Sequence, residues 1–153
     1  GFFGPTVTVQ TYGNPEQAGG TPPPVGESGA KHVDVDLKTK RLTMYEGDSV
    51  IHDYGISPGK WTSPTPTGDF TIGEKSPNRW SRTFKLWMPK WNEVLPGYGI
   101  HGLRYWATRH GNVYEGVGDI GRNVSNGCIR LSLENAKIFY AWADKGTAVH
   151  IHF

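Results

Sequence analysis

Val124-Ser125-Asn126-Gly127-Cys128-Ile129-Arg130-Leu131 contains the only cysteine of the chain, and Tyr98-Gly99-Ile100-His101-Gly102 precedes it. A lone thiol set among Ser, Gly and Arg, with an upstream histidine in an apolar-then-glycine setting, is the sequence form of a Cys–His nucleophile pair. Only the thiolate attacks, and free cysteine titrates near ~8.5, so a reactive thiol needs a base or a positive field and room for a carbonyl. Gly127 lets the chain turn tightly and removes a side chain where that carbonyl approaches. The N–H groups around Asn126, Gly127 and Cys128 can converge on an oxyanion. Arg130 either holds a substrate carboxylate in a bidentate fork or stabilises the loop. The competing reading of a single cysteine is a small buried hydrophobe. Polar residues and a glycine before Cys128, and an arginine just beyond it, argue against that reading.

Outward from this run the chain reads mainly as strands. Val33 to Leu37 and Arg41 to Tyr45 alternate apolar and polar residues, and Lys38-Thr39-Lys40 between them suits a hairpin. Val50 to Ser57 and Asp69 to Gly73 are shorter strand candidates, joined by a loop turned by Pro58, Gly59, Pro64, Pro66 and Gly68. Alternation over Thr83 to Met88 predicts a half-buried strand. One helix starts at the N-cap Ser132, places Leu133, Ala136, Phe139, Tyr140 and Ala143 on one side, and stops before Gly146. Its N-terminal partial charge lies a few residues after Cys128 and favours thiolate weakly. The expected fold class is mainly β: a β-sandwich or barrel with one principal helix after the cysteine.

The segment 1–31 differs. Thr6 to Tyr12 is a strand candidate, and Gly13 to Lys31, with Pro22-Pro23-Pro24, reads as a semi-rigid linker. One catalytic domain is expected over 32–153, a length able to bury a real core. The formal charge is +2 with both signs interspersed, so no nucleic-acid footprint is expected. No apolar run approaches the roughly 20 residues of a membrane helix. Gly1-Phe2-Phe3-Gly4-Pro5 is neither basic nor followed by an apolar stretch, so a trimmed chain without its leader is expected. One cysteine precludes an intrachain disulfide and leaves the compartment open. A monomer is expected.

Four ordered motifs carry a family resemblance: Ser125-Asn126-Gly127-Cys128-Ile129-Arg130-Leu131, Ile100-His101-Gly102, Ser63-Pro64-Thr65-Pro66-Thr67-Gly68-Asp69-Phe70, and Gly146-Thr147-Ala148-Val149-His150-Ile151. Together with Val33 to Asp36, Leu42, Tyr45 and Gly55 to Gly59, they make residues 32–153 resemble the catalytic domain of the L,D-transpeptidases, a mainly-β fold. The resemblance implies bacterial peptidoglycan stem peptides as substrate, an extracytoplasmic location, carbapenem sensitivity, and no metal or organic cofactor. It implies Cys128 as nucleophile, attacking the bond before the terminal D-alanine of a tetrapeptide stem, and His101 as its base. Gly127 and Cys128 would supply oxyanion N–H groups, Ser125 would shape the loop, and Arg130 would support the site or meet a donor carboxylate. Two departures accompany it. Asn126 stands where the family often has histidine, and the His101-to-Cys128 gap is longer than usual because Arg104 to Tyr114 reads as an insertion.

Around this centre, Trp80, Trp91, Tyr105 and Trp106 are expected to wall a cleft for sugar or stem peptide, with Gly102 and Asn126 also at the substrate. Two other readings stand beside the transpeptidase: an L,D-carboxypeptidase in which water is the acceptor, and a non-catalytic wall-binding module. Rapid, pH-dependent alkylation at neutral pH would favour the enzyme and a resistant thiol the module. Among the remaining histidines, His150 and His152 alternate with Val149 and Ile151 and are read as a solvated edge, since no third metal ligand is evident. His32 and His52 fall in strand candidates, and His110 falls in the insertion.

Overall fold

The computed structural model describes residues 30–153; the Thr6 to Tyr12 strand candidate and the Pro-rich segment up to Gly29 lie outside the described residues. Alternation in the first half sets up the first sheet. Strands β1 (Lys31–Asp36), β2 (Arg41–Glu46), β3 (Ser49–Gly55) and β4 (Gly68–Thr71) are joined by β11 (Ala148–His152) in the spatial order β3-β2-β1-β11-β4. β1 pairs with β11 in parallel, and the other neighbours are antiparallel. Val33, Val35, Leu42, Met44, Val149 and Ile151 are all at most 1% exposed and face the core. Their odd–even partners Asp34, Asp36, His150 and His152 therefore share the outer face.

The second sheet contains β5 (Lys75–Ser81), β6 (Leu86–Leu95), β7 (Tyr98–Gly102), β8 (Tyr105–Thr108), β9 (Gly111–Tyr114) and β10 (Ile129–Leu131), in the order β10-β7-β6-β8-β9 with β5 also on β6. The expected strand over Thr83 to Met88 is corrected here. The hairpin turn occupies 82–85, with Lys85 at φ 56° and its N–H donating to the Ser81 carbonyl at 2.7 Å. Pairing begins at Leu86 opposite Ser81. The stretch read as an insertion is itself a hairpin, β8–β9, and β3 stops at Gly55 rather than Ser57.

Helix α1 (Leu133–Trp142) begins where Ser132 Oγ accepts the Asn135 N–H, as its N-cap position predicts. Ala136 and Phe139 are fully buried on the same core as Ile100, Ile129 and Leu131. A side chain on Gly102 would press Ala136 Cβ at 3.0 Å, so glycine there lets the helix close onto β7. At the other end, Lys75 Nζ donates to the Tyr140 and Ala143 carbonyls, at 2.9 and 2.6 Å, and caps the helix. Among the described residues no helix is long and apolar enough to cross a membrane. The fold is mainly β with one helix, as expected.

Candidate active site

Parallel pairing of β10 with β7 places Ile129 beside Ile100 and Arg130 beside His101, which brings the two sequence motifs together. Cys128, at the entry to β10, and His101 line one cleft of about 330 Å³ with Ser125, Asn126, Arg130 and Trp80. Trp91 lines it as well, whereas Gly102, Tyr105 and Trp106 lie off its lining. Gly102 is buried beneath α1. Tyr105 accepts a hydrogen bond from Asn78 Nδ2 at 2.6 Å and packs on Tyr114, and Trp106 is 41% exposed on β8.

The loop before Cys128 is held from several sides. Gly127 has φ +121°, and a Cβ there would meet the Tyr98 ring at 2.4 Å, so both conformation and space require glycine. Thr65 Oγ1 donates to the Gly127 carbonyl and accepts the Gly59 N–H, each at 2.8 Å. Lys60 N–H donates to the Ser125 carbonyl, and Ser57 exchanges both backbone hydrogen bonds with Arg130. The Pro-rich motif around Ser63 to Phe70 therefore acts as a brace on the cysteine loop. Ser125 has the loop-shaping position expected of it: its Oγ donates to the Cys128 carbonyl and accepts the Gly127 N–H at 3.1 Å. That last bond bears on the expected oxyanion pair. The Gly127 N–H is engaged inside the loop, whereas among the described residues no hydrogen bond engages the Cys128 N–H.

His101 is 1% exposed, stacked on Trp91 at 5.7 Å, with Nδ1 2.6 Å from the Gly102 carbonyl. Nδ1–H donates there, which leaves Nε2 with the basic lone pair. Burial pushes the imidazole pKa down to about 3, so the ring is neutral across the physiological range. Burial likewise pushes the Cys128 thiol above its ordinary value, opposed by the Gly99 backbone and by Arg104, Arg79 and Arg130. The resting pair is therefore thiol and neutral imidazole. A thiol slow to alkylate at neutral pH is thus compatible with this site, and slow labelling no longer separates an enzyme from a binding module. The positive field comes from these arginines; α1 is separated from Cys128 by β10.

Sequence reasoning had no role for Arg104 or Glu115. Glu115, just beyond β9, pairs with the buried Arg104 and lies 3.8 Å from Arg130. Arg79 sits 4.3 Å from the centre of the Trp91 ring. The density of basic and aromatic residues from Arg79 to Trp91 signalled Arg79 but neither Arg104 nor Glu115.

The YkuD family model, described as the L,D-transpeptidase catalytic domain, matches residues 30–151. The YkuD protein of Bacillus subtilis is 30% identical over 121 residues, 79% of this chain and 65% of that protein. The chain thus spans just under two thirds of that relative. A crystal structure of an L,D-transpeptidase from Stackebrandtia nassauensis is 27% identical with a TM-score of 0.66, covering 81% of this chain and 56% of the other. The LD transpeptidase LdtMt1, solved in complex with imipenem, shares the fold at 23% identity and a TM-score of 0.68, over 80% of this chain and 59% of its own.

Proposed function

From the premise that this chain belongs to the L,D-transpeptidase catalytic-domain family, we propose that it is a cysteine acyltransferase acting on peptidoglycan tetrapeptide stems outside the cytoplasmic membrane. The observation that carries the reading is the convergence of Cys128, a neutral His101 with Nδ1 anchored, and four arginines around one cleft, three of which act on the thiol.

In this reading the stem carbonyl before the terminal D-alanine enters beside Cys128. His101 Nε2 takes the thiol proton as sulfur bonds to the carbonyl carbon, and the Cys128 N–H receives the developing oxyanion. Collapse breaks the amide bond, and the leaving D-alanine amine takes the proton back from His101. A thioester remains on Cys128. An acceptor amine then attacks, again deprotonated by His101, and restores the thiol. Arg130, Arg104 and Arg79 give the cleft the charge to hold a stem carboxylate. A carbapenem, whose ring carbonyl presents the same electrophile, would acylate the same sulfur.

Mass spectrometry of products from a disaccharide-tetrapeptide tests the proposal. Crosslinked dimer with released D-alanine is expected, and a Cys128→Ala variant should give neither. Tripeptide alone would reassign the reaction to a carboxypeptidase. Absence of any Cys128-dependent product would reject the enzyme reading for this substrate.

A further inference from the structure

We propose that Asp34, His150 and His152 form a binding site for a divalent transition-metal ion of the zinc class on the outer face of the first sheet. None of the three residues lines the cleft, and the site does not depend on the acyltransferase reading. Its residues come from two facts of register. His150 and His152 are two apart on β11 and so project from the same face, and parallel pairing sets Asp34 of β1 directly beside His150. One donor atom from each of the three lies within 4.8 Å of the others. The expectation of a solvated edge without a third ligand is therefore overturned on both counts, because β11 lies between β1 and β4 and Asp34 supplies the carboxylate.

Two imidazoles and one carboxylate match the nitrogen and oxygen donors of open zinc sites. The surrounding contacts orient both rings. His150 Nδ1 is 2.6 Å from Asp69 Oδ1, and His152 Nδ1 is 3.3 Å from the Phe153 carbonyl. Each ring thus has an acceptor at Nδ1 that favours metal ligation through Nε2, the carboxylate- or carbonyl-backed arrangement common to metal-bound histidines. His152 Nε2 already meets both Asp34 oxygens, at 2.9 and 3.0 Å. The ion takes the place of the proton shared there, which is released to solvent.

Donors about 2.0–2.2 Å from a tetrahedral ion are ~3.3 Å apart, so the Asp34–His152 pair needs little change. The His150 ring, 42% exposed, has room to turn inward. Asp36, the register partner of His152, is otherwise committed: its Oδ1 accepts the N–H groups of Lys38 and Thr39 at the β1–β2 turn. Three ligands leave one position for water.

The test uses the full chain carrying Cys128→Ser, so that the thiol cannot hold metal. Titration calorimetry with Zn²⁺ should give one ion per chain, and Co²⁺ should develop visible bands without a sulfur charge-transfer band. His150→Ala and Asp34→Asn should each weaken Zn²⁺ binding by about 100-fold or more. Asp69→Ala, which removes only the carboxylate behind His150, should cost about 10–100-fold. Zn²⁺ should also raise the thermal midpoint of the parent and not of His150→Ala. Asp34→Asn preserves shape, and circular dichroism checks that each variant is folded. Absence of binding at millimolar Zn²⁺, or unchanged affinity in His150→Ala and Asp34→Asn, would overturn the site.

Discussion

The protonation state of Cys128 sets how its chemistry will be observed. Burial holds the thiol above its ordinary range, and His101 stays neutral down to about pH 3. Alkylation by iodoacetamide should therefore be slow at pH 7, rise about tenfold per pH unit, and continue rising past pH 8.5 without levelling. A plateau below pH 7 would instead reveal a thiolate–imidazolium pair. Gly127→Ala provides a second test at this scale. A methyl group forced against the Tyr98 ring at a positive φ should displace the Cys128 loop, with turnover falling at least about 100-fold and thermal stability also declining. The two central residues were legible because each carries its chemistry in its immediate neighbours. Arg104 and its partner Glu115 were not, since only the packing of β7 and the β8–β9 hairpin brings Arg104 to the cleft and Glu115 onto it. Tyr105 and Trp106 lie off the cleft lining, and aromatic character alone says nothing about which way a hairpin leans.

Strands with one wet face announced themselves through alternation, and α1 through its cap and apolar stripe. β5 escaped notice because Lys75-Ser76-Pro77-Asn78-Arg79-Trp80-Ser81 alternates poorly and contains a proline, tolerated where the strand lacks a second neighbour. The Thr83 to Met88 reading failed because a period of two ran through a turn whose geometry is set by the backbone of Lys85. The brace and the helix cap permit a comparison between elements. Thr65→Val removes a buried hydroxyl with two partners, 6% exposed at the residue, and should cost about 1–3 kcal/mol while lowering kcat by loosening the cysteine loop. Ser132→Ala should cost about 1 kcal/mol through the lost cap, with kcat unchanged. Urea unfolding and steady-state turnover on both variants would test the distinction. Equal effects on kcat would remove the brace from the mechanism.

For the whole molecule, the fold class was readable, but the joining of the sheets was not. No local pattern announces that residue 34 will lie beside residue 150, and both the sheet order and the Asp34–His150–His152 cluster depend on that pairing. Among the described residues, the hydrophobic core runs from Val33 to Ile151. A chain of 30–153 alone should therefore retain the thermal midpoint of the full chain to within a few degrees, measured by calorimetry; a large fall would assign residues 1–29 a share of the packing. The position of β11 also bears on synthesis. β11 follows every other described strand and fills the gap between β1 and β4, so the first sheet cannot close until residue 152 has been made. Until residue 152 emerges, β1 and β4 each present an unpaired edge, open to folding helpers or to mispairing with another strand.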